Sequence, residues 1–286
     1  MRSILCALLV FAGCGGPCGS GTSASSWTLS NGSITVDITG APYGFTVEDA
    51  SGRAVLASAG KGAGDGYGSV GWTSGKVFLD NIVDAGYYAF DTALDPWRDN
   101  LRVTAATTTP ESVDLTMEGG GGCVHVTHTL RGSALRVEAR VDHLDGVTPR
   151  GWEAAFATPS DEAFLGFGER YNAVDQRGVS LYSWPEEGGL TKGEAAASPM
   201  NPWPNGGTMT YYPVPFFLST AGYGFWLDST WRNQFDLATD HADAWRVFDI
   251  GPSLAFEIYL PTPDFRLKYN LCEKTISLLT TTSTCR

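Results

Sequence analysis

The ionisable side chains that could carry chemistry in this sequence are one adjacent pair of opposite charges and a few scattered histidines. Glu169 and Arg170 are neighbours, and neighbouring side chains of a strand point to opposite faces, so we expect structural ion pairs with other partners rather than a catalytic pair. The histidines are His125, His128, His143 and His241. The two nearest lie on a strand-like run rather than at metal-ligand spacing, and no CxxC occurs. The sequence therefore predicts no metal site and no cofactor.

Composition restricts the classes of partner and of fold. The chain has 286 residues, of which 43% are hydrophobic, 12% aromatic and 17% charged, so it can bury a sizeable core. Its formal charge of -12 and the absence of a basic run argue against a nucleic-acid partner. The 35 glycines, the 15 prolines and the abundance of branched and aromatic residues favour an all-β chain.

Alternation of apolar and polar residues, which buries one face of a strand, recurs along the chain. It is clear over residues 33–38, 112–117 and 123–130, and glycine-rich turns separate such runs. We predict an antiparallel β-sandwich over residues 27–262. Between Arg170 and Tyr212 the alternation stops for about 40 residues, and a loop of that length in a compact domain is usually functional.

The first residues are typical of an export signal. Arg2 precedes a short apolar run at 4–12, and Phe11-Ala12-Gly13-Cys14 resembles the lipobox of bacterial lipoproteins. The resemblance implies that Cys14 is acylated and becomes the mature N-terminus; an ordinary cleaved signal is the alternative. We therefore expect a leader at 1–14, a flexible Gly/Ser linker at 15–26, and an exported lipoprotein, periplasmic or at the cell surface, held to the membrane by its lipid.

Four cysteines remain once Cys6 in the leader and Cys14 are set aside. They are Cys18, Cys123, Cys272 and Cys285, which allow three pairings. A bridge local to the C-terminal tail is the simplest of the pairs.

Several short motifs after residue 163 occur in a fixed order. They are Gly166-Phe167-Gly168-Glu169-Arg170, then Gln176-Arg177-Gly178, then Trp184 followed by acidic residues, then Pro213-Val214-Pro215-Phe216 with Ser219, and Gly222-Tyr223-Gly224. Together these resemble the N-terminal β-sandwich of glycoside hydrolase family 31, the α-glucosidase and α-xylosidase family. The resemblance is specific over about 163–237 and looser over 27–162.

The resemblance implies a galactose-mutarotase-like supersandwich and an association with α-glycosides. Family members hydrolyse α-glycosides with two carboxylates carried by a (β/α)8 barrel that follows the sandwich. Only 26 residues follow Leu260, whereas such a barrel takes about 250. We therefore expect no hydrolysis by this chain alone, and a truncated or frame-shifted reading frame with a non-matching tail at 263–286.

The resemblance also implies a sugar contact by the long loop. In the family a loop of this domain supplies an aromatic and an acidic residue to the substrate pocket, which here are Trp184 with Glu186 or Glu187. An indole face stacks on the apolar face of a pyranose, and a carboxylate accepts hydrogen bonds from its hydroxyls. The alternative is a solvated acidic turn beside a packed tryptophan, since Pro185-Glu186-Glu187 stands where the family more often has Asn-x-Asp.

Three functions follow from these observations. The first is the non-catalytic N-terminal domain of a family 31-like α-glycosidase. The second is a free-standing surface lipoprotein that binds carbohydrate, which the nine tryptophans favour. The third is an aldose-epimerase-like enzyme, which would need a histidine and a glutamate in one pocket.

Overall fold

The computed structural model describes residues 18, 26–60, 66–82, 87–99, 101–119, 121–142, 147–185, 207–208, 210–261, 267–270 and 275–278. Its strands are β1 (Ser26–Ser30), β2 (Ile34–Gly40), β3 (Tyr43–Asp49), β4 (Ala54–Ala57), β5 (Gly71–Thr73), β6 (Gly75–Ile82), β7 (Tyr87–Leu94), β8 (Arg102–Thr108), β9 (Ser112–Gly119), β10 (Gly122–Arg131), β11 (Ala134–Asp142), β12 (Gly151–Ala157), β13 (Phe164–Gly168), β14 (Val179–Ser183), β15 (Pro213–Ser219), β16 (Tyr223–Leu227), β17 (Asn233–Leu237), β18 (Ala244–Asp249), β19 (Leu254–Tyr259), β20 (Leu267–Asn270) and β21 (Thr275–Leu278). These residues form no helix.

Three antiparallel sheets make up the body of the protein. One has eight strands in the order β13-β15-β16-β19-β11-β10-β9-β8, one has five in the order β14-β17-β18-β12-β5, and one has four in the order β1-β2-β3-β4. The β6–β7 and β20–β21 pairs form separate two-stranded ribbons. The prediction of an all-β antiparallel sandwich is confirmed. Within the ranges given above, no helix is long and apolar enough to cross a membrane.

Strand β10 shows how the alternation of the sequence becomes a buried face. Val124, Val126 and His128 are buried on the inner side, whereas His125 and Thr127 are half-buried on the outer side. The inward face is apolar except for His128, so this histidine is a core residue rather than a ligand. Its Nε2 lies 3.1 Å from the hydroxyl oxygen of Tyr43 on β3.

Aromatic rings join the sheets. Trp245 of β18 stacks on Phe156 of β12 with ring centroids 4.5 Å apart, and it meets Phe217 of β15 at 5.2 Å. Phe156 also lies 6.0 Å from Phe45 of β3, so all three sheets share one core. Aromatic pairs of this geometry add about 0.5–1.5 kcal/mol beyond the area that they bury.

One carboxylate, Glu153 of β12, is fully buried on the side of its sheet away from this core. It accepts hydrogen bonds from the backbone N–H groups of Tyr67 (3.1 Å) and Gly68 (3.2 Å), and the guanidinium of Arg246 lies 3.6 Å from it. Burial raises the pKa of Glu153 to about 7 despite these contacts. Burial in the core has the opposite effect on the pKa of His128, which it lowers to about 3.

A disulfide joins the N-terminal segment to the eight-stranded sheet. Cys18 is bonded to Cys123 at the beginning of β10, which selects among the three pairings and leaves Cys272 and Cys285 as the remaining pair. Those two cysteines lie outside the described residues, as does Cys14. Cys18 falls inside the segment expected to be a flexible linker, yet it is only 7% exposed.

Replacing Glu153 by glutamine should change how stability depends on pH. In the folded chain Glu153 ionises at about 7, above its ordinary value of 4.5, so its contribution to stability is lost as the pH rises between these values. The free energy of unfolding of the wild type relative to E153Q should therefore increase by about 3 kcal/mol when the pH is lowered from 7 to 4.5. Urea titrations at several pH values measure this difference.

The control for this experiment is His128→Gln, because the folded pKa of His128 lies below its ordinary value of 6.5. Its contribution is lost as the pH falls, so the wild type should lose stability relative to H128Q over the same interval. Curves for E153Q and wild type that run parallel would contradict the assignment.

Candidate functional site

The segment 170–212, expected to be one loop without regular structure, contains strand β14 (Val179–Ser183), so this expectation is wrong for these residues. The chain leaves the sheet after β14 and enters β15 at the same end of the sandwich, which we call the loop end. Strands β13 and β14 finish there, at Gly168 and Ser183, and β15 and β17 begin there, at Pro213 and Asn233. Residues 186–206 lie outside the described residues. The loop end is therefore where β14 and β15 position the residues on either side of 186–206, within the segment for which we expected a function.

A bulge in β13 shapes this end, and it explains both glycines of the Gly-x-Gly motif. The pairing with β15 shifts between Gly166 (φ +134°) and Gly168 (φ +83°), and Phe167 between them has φ +68°. A Cβ on Gly168 would lie 2.1 Å from the carbonyl oxygen of Tyr212. The bulge turns Phe167 into the core, where it stacks on Phe217 with centroids 5.1 Å apart.

Arg170 holds the base of the loop together. It donates hydrogen bonds to the carbonyl oxygens of Phe167 (3.0 Å), Thr208 (2.7 Å) and Tyr182 (2.9 Å), which belong to three separate segments. Glu169 accepts a hydrogen bond from the Tyr171 hydroxyl (2.9 Å). The expectation that Glu169 and Arg170 lie within a strand is wrong, since β13 ends at Gly168 and the bulge redirects the chain.

Other motif residues meet at the opposite end of the sandwich, around the buried carboxylate of Glu162. This carboxylate accepts hydrogen bonds from the hydroxyls of Thr158 (2.6 Å), Ser219 and Tyr223 (2.7 Å). Arg177 donates to the Thr158 hydroxyl (2.9 Å). Residues from the Gln-Arg-Gly, Pro-x-Pro-Phe and Gly-Tyr-Gly motifs therefore share one structural cluster, far from the loop end.

Of the residues predicted to contact sugar, only Trp184 is described. It directly follows β14 at the loop end and is half-buried. Glu186 and Glu187 lie outside the described residues. The strand before Trp184 is well fixed, because the guanidinium of Arg232 stacks on the ring of Tyr182 at 3.9 Å from its centroid.

Four exposed aromatic side chains on the loop end were not singled out from the sequence. Their exposed fractions are 61% for Tyr171, 47% for Tyr211, 57% for Tyr212 and 53% for Trp231. The pKa of Tyr171 is raised, chiefly by its hydrogen bond to Glu169 and also by the nearby Tyr211. A sequence signal did exist, since three of the four lie at the two borders of the irregular segment. Tyr171 lies near Tyr211, which Tyr212 follows in the chain, and exposed aromatic groups that lie close together are typical of a binding surface.

A second feature is a hollow of about 270 Å³ on the outer face of the eight-stranded sheet. Its lining includes the small residues Ser253 and Ala255 together with His125 and Glu138. Both are already paired: His125 Nε2 lies 3.0 Å from the carboxylate of Asp142, and Glu138 accepts a bond from Arg136 at 2.9 Å.

The remaining histidines do not join this hollow. His128 is in the core, and His241 packs edge-on against Tyr67 with ring centroids 4.5 Å apart. His143 lies outside the described residues. Among the residues described here, no group of three or more His, Cys, Asp or Glu side chains could hold a metal ion.

The described strands define the class of fold, an antiparallel β-sandwich of the supersandwich type. The model of the glycosyl hydrolase 31 N-terminal galactose mutarotase-like domain matches residues 21–236. The chain therefore belongs to this family, and the resemblance inferred from the motifs is confirmed.

The relatives agree with this assignment, and a solved structure agrees with the fold. An isomaltosyltransferase of Sporosarcina globispora is 33% identical over 104 residues, and the α-xylosidase XylQ of Lactiplantibacillus pentosus is 29% identical over 104. Each match covers 36% of this chain but only 8% and 12% of the respective relatives. A family 31 sulfoquinovosidase from E. rectale superposes on 82% of this chain, and on 32% of its own, with a TM-score of 0.58 at 15% identity, which supports the fold.

The bulge at Gly168 yields a prediction with a matched control. Gly168 and Gly32 both have φ +83°, but only at Gly168 would a Cβ meet a neighbour, whereas nothing lies within 4 Å at Gly32. Gly32→Ala should cost about 1–2 kcal/mol of unfolding free energy through backbone strain alone. Gly168→Ala should cost more than about 3 kcal/mol, because the pairing of β13 with β15 must also shift. Equal losses in urea unfolding would show that the close approach is unimportant.

Proposed function

We propose that this chain acts as the sugar-contacting, non-catalytic β-sandwich of an enzyme that processes α-glycosides. The observation that carries the proposal is the family match over residues 21–236, joined to the position of Trp184 beside the long loop. Trp184 supplies the stacking face, and Glu186 or Glu187 accepts hydrogen bonds from the sugar hydroxyls. The resemblance assigns the two reacting carboxylates to a barrel, so the part proposed for the sandwich is binding and not cleavage.

The rigidity of the loop base supports this role. A stacking residue contributes most when its own position is fixed before the sugar arrives, because less freedom is then lost on binding. Arg170 joins three segments at the base of the loop, and Arg232 stacks on Tyr182, two residues before Trp184. Tyr171, Tyr211 and Tyr212 enlarge the aromatic surface along which a longer glycan could extend.

We also propose that the chain is exported and anchored by a lipid on Cys14. The short apolar run that ends in Phe11-Ala12-Gly13-Cys14 is the basis of this proposal. The Cys18–Cys123 disulfide supports it, since such bonds persist outside the reducing cytosol. Anchoring would place the protein in the periplasm or on the cell surface, where glycans are encountered.

Sugar contact can be tested on the chain itself by saturation-transfer NMR with maltotriose and isomaltotriose. We expect weak binding by the wild type, with a Kd of about 1 mM. The affinity should be about tenfold lower in Trp184→Ala, because the stacking contact is lost. Phe78→Ala is the control, since Phe78 is an exposed aromatic residue, 46% accessible, on β6.

Each possible result of this experiment has a distinct meaning. Unchanged binding by W184A would contradict the role of Trp184, and no binding by the wild type would contradict sugar contact by this chain. Micromolar binding would favour the second function, a free-standing carbohydrate-binding lipoprotein.

The third function, an aldose-epimerase-like activity, would use the hollow lined by His125 and Glu138. Because Asp142 and Arg136 already pair with these two groups, we expect no acceleration of the mutarotation of α-D-glucose in polarimetry. Acceleration by the wild type that disappears in His125→Asn would contradict this expectation and establish the epimerase activity. W184A is the control for such a result, because it should leave that hollow intact.

A further inference from the structure

We propose that the Cys18–Cys123 disulfide sets which end of the sandwich faces the membrane, and that this is the loop end. The proposal rests on acylation of Cys14, as proposed above. The proposed partner of the loop end is a lipid surface. The proposal is based on the place in the fold where the disulfide fixes the N-terminal segment.

Cys18 is covalently attached to the sandwich and packed against it. It is bonded to Cys123 and is 7% exposed. Its carbonyl oxygen accepts a hydrogen bond from the Thr104 hydroxyl of β8 at 3.1 Å. The chain therefore joins the folded body at Cys18, eight residues before β1 begins at Ser26.

This early attachment shortens the link to the lipid. If the first fixed point were Ser26, twelve residues would follow Cys14 and could extend about 42 Å. With Cys18 fixed, four residues remain and reach about 14 Å. A 42 Å link would let the body take any orientation, whereas a 14 Å link keeps the attachment point next to the bilayer.

The attachment point lies on the loop end. Cys123 is at the beginning of β10, opposite Asp142 at the end of β11, and β19 begins beside β11 at the same end. The next strands in the sheet are β16, β15 and β13, and each is antiparallel to the one before it. Therefore β16 ends, β15 begins and β13 ends at the same end as Cys123. Five strand spacings, about 24 Å, separate Cys123 from Gly168, so the tether holds one edge of the loop end without covering the other.

The side chains of this end suit a position close to lipid. Tyr171, Tyr211, Tyr212 and Trp231 are all about half-exposed or more, and tyrosine and tryptophan favour the interface between water and headgroups. The formal charge of -12 would not draw the protein to an anionic bilayer, so orientation depends on the tether and on these rings. Trp184 would then meet glycans close to the membrane surface.

A protease-release experiment tests the attachment. A cleavage sequence replaces residues 20–25 in the full chain, expressed with its own leader in a bacterial host, and membranes are treated with the protease. Because the disulfide still joins the body to Cys14, the body should stay in the membrane pellet until dithiothreitol reduces the disulfide to two thiols. In Cys123→Ser the protease alone should release it.

Each result of the release experiment decides something. Release from the unreduced wild-type disulfide form by the protease alone would overturn the proposal while leaving lipidation intact. A chain that is soluble before any cleavage would overturn the anchor, and the orientation with it. Incorporation of radioactive palmitate at Cys14, absent in Cys14→Ser, separates these two cases.

Energy transfer to a headgroup-labelled lipid tests the orientation. A fluorescent amino acid is placed at Thr230, exposed on the loop end, or at Glu111, exposed at the turn before β9 at the other end. Transfer should be stronger from position 230, and the difference should shrink in the Cys18→Ser/Cys123→Ser variant. Equal transfer from both positions, or stronger transfer from 111, would overturn the proposal.

Discussion

Trp245 of β18 is the central side chain in the packing of the five-stranded sheet against the eight-stranded sheet. Its ring stacks on Phe156 of its own sheet at 4.5 Å and meets the edges of Phe217 (5.2 Å) and Phe225 (5.0 Å) from the facing sheet. All four rings are fully buried. Since rings are rigid and interlock at fixed angles, this cluster sets the spacing of the sheets, and the bulge at Phe167 is built against one of its members, Phe217.

Arg246, which follows Trp245, shows that one strand contributes side chains to both faces of its sheet. Arg246 points to the other side of the five-stranded sheet, where it bonds Asp236 at 2.7 Å and lies 3.6 Å from Glu153. Its guanidinium also covers the ring of Tyr67 at 4.5 Å. The buried charges are tolerated because each has a partner or backbone N–H groups, and together they hold the turn at Tyr67 against the sheet.

Much of this fold was accessible from local sequence patterns, because burial of one strand face imposes a period of two. The period of two puts His128 on the inner face with Val124 and Val126, but it could not identify its partner Tyr43, which is 85 residues away. Nor could it choose Cys123 as the partner of Cys18, at a separation of 105. Trp184 was placed at the loop by family resemblance, whereas the exposure of Tyr171 depends on tertiary packing that no local pattern encodes.

The motifs that reveal the family have mainly structural roles in this chain. Gly168 permits a close backbone approach, Arg170 bonds three carbonyl oxygens, and Tyr223 and Ser219 satisfy the buried carboxylate of Glu162. Such residues identify the scaffold and, being buried or bonded to backbone, do not select the sugar of the proposed site. Under the proposed function, the preferred glycan would be set by exposed side chains of the loop end, such as Tyr171, Tyr211 and Tyr212. A change of preferred glycan should therefore be sought at the loop end and not in the motifs.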